Sequence, residues 1–249
     1  MKKASPLFVV ALALLCLGAG VLVGTRLAAR GQAGSLPSAK ASSPAPAPAG
    51  KLTKFRESAL AHKLLDGLRG LEIGGSAHNA FGLNTLNVDY TDDYTTTFKQ
   101  HEVELAGEYM KVDIVASGDD LPLKDETVDF VISSHVIEHF YDPVKAIQEW
   151  LRVVRPGGYV FIIAPHLDRI GKAATPRTLP EEIIARHEHP NPPKVDLHGH
   201  YSCWKPQDFV GFCKHYGWKI VAVQNTDDKV GNGFTVVIQK EGVLARAGR

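Results

Sequence analysis

Three groups of residues in this chain have types and spacings suited to chemistry. The first is Glu72-Ile73-Gly74-Gly75, with Asp89 seventeen residues after Glu72. Glycines just after a strand let the backbone pass close to a ligand, and a carboxylate ending the next strand can accept both hydroxyls of a ribose. The second group is His135-Val136-Ile137-Glu138-His139. A neutral imidazole at His135 could take a proton from a hydroxyl as a bond forms, so His135 is a candidate catalytic base or pocket-lining residue. A helix-start histidine with no catalytic part is the plain alternative. The same five residues spell the inverted zinc-protease pattern, in which two histidines on one helix bind the metal and the acid acts on water. Asp142-Pro143 argues against it, because it would interrupt such a helix within about one turn. The third group lies between His166 and Lys205, where His166, His198, His200 and Tyr201 are candidate substrate-binding residues of an imidazole-rich lid. A zinc site drawn from His187, His189, His198, His200 and Cys203 is conceivable by residue type, but the spacing matches no standard module, and no metal is expected.

The elements that must position these groups alternate between strands and helices. Apolar positions from Lys51 to Arg69 recur at helical spacing and stop at Gly70. Leu71-Glu72-Ile73 then reads as a strand running into the glycines, and Thr85 to Val88 as a second strand ending at Asp89, which together make half of a nucleotide-binding unit. Val112 to Ala116 and Val128 to Ile132 are continuous in apolar character, as parallel strands covered on both faces are. Asp142-Pro143 opens a helix whose apolar face is Val144, Ile147, Leu151 and Val154. Pro156-Gly157-Gly158 turns the chain into the strand Tyr159 to Ile163. The stretch from His166 to Lys205 is too long for a simple connection. Pro206 to Tyr216 reads as a helix, and Trp218 to Val223 with Phe234 to Gln239 as a closing pair of strands around a turn at Asn225 to Asn232. This alternation predicts an α/β fold with a doubly wound sheet and a ligand outside the carboxyl ends of its strands.

From Leu71 to His166 the chain resembles the class I methyltransferases, in particular the methyltransferase type 11-like branch. The resemblance rests on five elements in order: Asp120-Leu121-Pro122-Leu123, Thr127 to Ile132, His135 to His139, Glu149 to Val154, and Arg155-Pro156-Gly157-Gly158. It implies a Rossmann-like seven-stranded sheet of order 3-2-1-4-5-7-6 with the seventh strand antiparallel, and S-adenosylmethionine as cofactor. It also implies cofactor contacts at Glu72, Gly74 and Gly75, at the ribose acceptor Asp89, and after the third strand at Ser117, Gly118 and Asp119. The later glycine positions of the family's first motif are Ser76 and His78 here. The expected function is methyl transfer to a small or lipid-linked acceptor, with a noncatalytic cofactor-binding scaffold as the alternative and a zinc protease as a weaker one.

Two segments precede this domain, which is expected to run from residue 51 to 249. Leu7 to Gly24 carries no charge and is rich in Leu, Val and Ala, just enough to cross a bilayer as a helix, so residues 1–30 read as a membrane anchor or a signal segment. Residues 31–50 are rich in Pro, Ala and Ser and read as a spacer. Because S-adenosylmethionine is made in the cytosol, the domain is expected on the cytosolic face, a secreted or lumenal location being the alternative. With 28 Lys and Arg against 27 Asp and Glu, the net charge of +1 offers no basic stripe for nucleic acid, so none is expected as a partner. Three cysteines, one of them inside the apolar segment, make no disulfide framework.

Overall fold

The computed structural model describes residues 52–170, 176–193 and 199–242. Their seven strands are β1 (Gly70–Ile73), β2 (Thr85–Asp89), β3 (Ile114–Val115), β4 (Val128–Ser134), β5 (Val154–Pro165), β6 (Lys219–Gln224) and β7 (Gly233–Gln239). They form one sheet of order β3-β2-β1-β4-β5-β7-β6. The first five run parallel, and β7 lies antiparallel between β5 and β6, as the resemblance implies. Among the described residues the helices are α1 (Ala59–Leu65), α2 (Thr97–Ala106), α3 (Pro143–Val153), α4 (Pro180–Glu188) and α5 (Pro206–His215), with a 3-10 turn at Ile137–His139.

Strand alternation sorts the core into two layers. Leu71, Ile73, Val131, Val160 and Ile162 meet Ile147 and Trp150 of α3 and Phe209 and Phe212 of α5 on one face. Phe130, Ile132, Phe161, Ile163 and Val237 meet Ala61 and Leu65 of α1 together with Phe81 on the other. Helix α3 begins as its sequence dictates: the Asp142 side chain accepts from the Lys145 amide at 3.0 Å and Pro143 occupies the first turn, a cap worth about 1 kcal/mol. Before β5 resumes at Tyr159, the chain passes so close to the Asp129 carbonyl that a Cβ at Gly158 would stand 2.2 Å from that oxygen, which explains the glycine.

Four elements differ from expectation. The first helix is short because Thr53 and Phe55 spend their amides on Leu105 O at 2.7 Å and His78 O at 2.8 Å, holding the preceding chain extended; Ser58 then caps α1. Strand β3 is two residues long and lies at the sheet edge with Val115 exposed, so it is not covered on both faces. Helix α2 carries no apolar stripe and buries Lys99 and Glu102 instead, so its sequence gives no periodic signal. The stretch from His166 to Lys205 contains α4 rather than being irregular throughout. The apolar segment and the spacer lie outside the described residues, among which no helix is long and apolar enough to cross a membrane.

Candidate functional site

The carboxyl ends of the parallel strands gather the candidate residues. After β1 the chain turns at Gly74, whose amide donates to Val88 O at 2.8 Å on the neighbouring strand. Gly74 has φ +64°, and a Cβ there would lie 2.7 Å from Cγ2 of Val136, so the turn is pressed against the His135–His139 segment and only glycine fits it without strain. Gly75 donates to Oδ1 of the buried Asn87 at 2.9 Å, and Asn87 donates in turn to Lys111 O at 3.0 Å. Glu102 of α2 holds the other side of this loop, accepting from the amides of Ala77 and Met110, each at 2.6 Å. The loop after β1 is thus built largely by Asn87 and Glu102, two residues that sequence reading did not single out. The only available signal was Asn87's place two residues before Asp89 on β2.

Asp89 ends β2, and its Oδ2 meets Nζ of Lys99 at 2.9 Å, with Glu102 on the same ammonium at 3.4 Å. Burial works against charge on Lys99, but these two carboxylates outweigh it and hold its pKa above the ordinary value. Ser117, Gly118 and Asp119 follow β3. The Ser117 hydroxyl donates to Asp119, which also pairs with Lys145 at 2.9 Å. Burial disfavours the Asp119 carboxylate, yet these partners keep its pKa below the usual range. A Cβ at Gly118 would meet Ile73 at 2.8 Å and Phe140 at 2.9 Å, and its carbonyl accepts from the Trp150 indole at 2.7 Å. Much of the signature serves to hold this loop. Glu149 accepts from the Leu121 amide at 2.7 Å, and Arg152 donates to Leu123 O at 2.8 Å while pairing with Glu149.

Glu72 stands apart from this mouth. It is buried within β1, where Thr85 donates to it at 3.3 Å, and burial raises its pKa to about 7 against the pull of Lys229. Lys229 itself donates to Ala80 O at 2.7 Å and lies over the Phe81 ring.

His135 follows β4 with φ +57°, its amide donating to Ile163 O at 2.9 Å. That left-handed residue, followed by a single 3-10 turn, keeps His135 and His139 off a common helix, so the inverted zinc-protease geometry is absent. Glu138 is 1% exposed and neither of its carboxylate oxygens has a hydrogen-bond partner; the imidazole nitrogens near it are His135 Nδ1 at 3.7 Å and His200 Nε2 at 4.0 Å. Burial opposes charge on His135, but Glu138, and Asp227 beyond it, raise its pKa above the ordinary value. His200 is shifted the other way, burial lowering its pKa despite Glu138.

The His-rich stretch divides. His200 and Tyr201 fold back onto the 3-10 turn, the Tyr201 amide donating to Glu138 O at 2.9 Å. His166 packs against Phe234, accepts from the Asp168 amide at 3.1 Å, and lines an open polar recess of about 350 Å³ with Asp168, Arg169, Lys205, Gln207 and Asn225. His187 pairs with Asp142 at 2.8 Å, and His189 is exposed just past α4, so neither joins His200. Cys203 is buried, its thiol pKa raised to about 12 by burial and by Glu138. His198 lies outside the described residues.

Residues 71–162 match the methyltransferase domain family. This segment belongs to the class I S-adenosylmethionine-dependent methyltransferases. The chain is 38% identical over 100 residues to an uncharacterized methyltransferase of Mycolicibacterium vanbaalenii, covering 37% of each chain. It is 33% identical over 75 residues to a probable S-adenosylmethionine-dependent methyltransferase of Mycobacterium tuberculosis, covering 30% of this chain and 26% of that one. The chain therefore spans well under half the length of these relatives. A solved S-adenosylmethionine-dependent methyltransferase from Aquifex aeolicus aligns at 19% identity over 71% of this chain and 84% of that one, with a TM-score of 0.42. The methyltransferase segment here offers features that fit the family's cofactor: a turn at Gly74 that admits no side chain, close backbone at Gly118, and the Asp89 carboxylate at the end of the adjacent strand.

Proposed function

We propose that the protein transfers a methyl group from S-adenosylmethionine to a small-molecule acceptor. The observation that carries this reading is Asp89 set beside the Gly74 turn, at the carboxyl ends of two adjacent parallel strands within the matched segment. When bound, the cofactor supplies a methyl group on a sulfonium with a good leaving group, so the chain has chiefly to align the reactants and exclude water. In this reading Gly74 and Gly75 pass beside the methionine part, Asp89 accepts the ribose hydroxyls, and Ser117, Gly118 and Asp119 line the adenine side. Glu72, enclosed beneath the turn, positions β1. Lys99 holds the Asp89 carboxylate in place from α2. On the acceptor side, His135 takes the proton when the acceptor is a hydroxyl, and the segment carrying His198, His200 and Tyr201, with His166 toward β5, shapes the pocket.

The test is calorimetric titration of the full chain with S-adenosylmethionine, alongside an Asp89→Ala variant whose folding is checked by circular dichroism. Binding that the variant weakens by at least tenfold, about 1.4 kcal/mol, supports the reading; no binding by the folded wild-type protein overturns it. A noncatalytic cofactor-binding scaffold is the second reading, favoured by Ser76 and His78 where the family carries glycines. Tight binding without methyl transfer across a broad acceptor panel would select it.

The charge-free run from Leu7 to Gly24 supports an anchored protein with the domain on the cytosolic face, where the cofactor is made. An anchor of this kind suits a lipid-linked acceptor as well as a soluble one. Protease accessibility in intact cells is the check, and a domain digested from the outside would overturn the cytosolic placement.

A further inference from the structure

A buried carboxylate normally collects hydrogen bonds, because leaving its oxygens bare forfeits their hydration without replacement. Glu138 departs from this rule: it is 1% exposed and both its oxygens lack a hydrogen-bond partner. Around it one donor atom each from Glu138, His139 and His200 lie within 4.8 Å of one another. Zinc held tetrahedrally by bonds of about 2.0–2.2 Å would set its ligand atoms roughly 3.4 Å apart. The Glu138 to His200 approach of 4.0 Å is about half an ångström longer than that, and no pair in the cluster exceeds 4.8 Å.

The supporting contacts point the same way. Nδ1 of His139 lies 3.0 Å from Gly199 O, so that nitrogen donates its proton to the carbonyl and Nε2 keeps its lone pair. A backbone carbonyl fixing the tautomer of a ligating histidine is the usual outer partner of a metal site. The same stretch is fastened a second time by the Tyr201 amide on Glu138 O, so His200 is delivered to a turn some sixty residues earlier by two clamps. The rings of His139 and His200 meet edge to face at 4.8 Å, and Phe98 of α2 meets His139 edge to face at 6.0 Å.

We propose that Glu138, His139 and His200 bind one divalent transition-metal ion of the zinc and iron(II) class. Two imidazoles and a carboxylate suit these ions, whereas magnesium and calcium prefer sites built wholly of oxygen. Three protein ligands leave at least one position for water or an exchangeable oxygen ligand, as in catalytic zinc sites. The site stands independently of methyl transfer.

The experiment is titration of the chelator-treated full chain with zinc by calorimetry, and with cobalt(II) by visible absorption, in excess magnesium. One equivalent of zinc is expected to bind without displacement by magnesium. Glu138→Gln, His139→Gln and His200→Ala are each expected to weaken binding at least about tenfold, since loss of even an outer partner commonly costs 10–100-fold. His189→Ala, an exposed histidine outside the cluster, leaves affinity unchanged. His200 sits on a loop, so its variant keeps the test decisive should Glu138→Gln fail to fold. Absence of binding, or binding indifferent to Glu138→Gln and His200→Ala, overturns the proposal.

Discussion

Two buried carboxylates close to His135 have opposite surroundings. Asp227, in the turn between β6 and β7, is 1% exposed and its oxygens accept from the amides of Lys229, Val230, Gly231 and Gly233 at 2.5–3.0 Å. Glu138, equally buried in the turn after β4, accepts from none. A carboxylate saturated by backbone amides folds its own turn and has no capacity left for a ligand. A bare one, with histidines around it, keeps its acceptor positions free for a ligand. Burial alone does not separate a structural acid from a functional one; the count of filled acceptor positions does.

The sharpest way to break this comparison is Asp227→Ala. It strands four amides inside the protein, and at about 1–3 kcal/mol for each unsatisfied group the expected loss is at least 3 kcal/mol, read as a fall in melting temperature of roughly 6–12 °C. A fall under 2 °C would mean that Asp227 does not hold the turn.

Gly74→Ala comes next. An alanine at φ +64° with its Cβ 2.7 Å from Val136 must displace the residue between His135 and Glu138. The expected cost is about 2 kcal/mol, together with weaker binding of both S-adenosylmethionine and zinc, measured by calorimetry. Loss of one ligand alone would show that the two turns are not coupled.

Glu72 is an intermediate case, with a long hydrogen bond from Thr85, a backbone contact from Phe81 and the Lys229 cation nearby. Its pKa of about 7 in the folded chain exceeds the ordinary 4.5, so the native state binds the extra proton across that window. Stability from this group is present below about pH 4.5 and is lost as pH rises toward 7. Glu72→Gln, which mimics the protonated form, should gain on the wild type by on the order of 3 kcal/mol between those limits. Parallel denaturant titrations at the two ends of the window measure this, and a constant difference would contradict the shift.

The smallest expected effect is Glu138→Gln without metal. Its melting temperature should stay within about 2 °C of wild type, a change under 1 kcal/mol. A collapse comparable to that of Asp227→Ala would make Glu138 a structural acid after all.

Much of the fold was legible in the sequence. Short strand-like segments bounded by turn residues marked β1, β2, β4 and β5, Asp142-Pro143 marked the start of α3, and five ordered elements implied the strand order. These signals are local, set by periodicity, caps and turns over a few residues. Helix α2 was hidden because it buries Lys99 and Glu102 rather than an apolar stripe, and its ion pairs need Asp89 from another strand to make sense. Gly74 was legible as a glycine needed after β1, whereas its reason, the pressure of Val136 from sixty residues away, was not.

The candidate site shows the same division. Sequence alone fixed which residues are able to ionise, ligate or turn the chain, because those are properties of single side chains and short spacings. It could pair His135 with His139 by motif, yet the left-handed backbone at His135 separates them. Only the tertiary structure decided that Glu138 is left without donors, that His139 has its tautomer set by Gly199, and that His200, rather than His187 or His189, joins them. The physical reason is that satisfaction of a polar group is settled by what packs against it, and here the partners arrive from a stretch some sixty residues downstream.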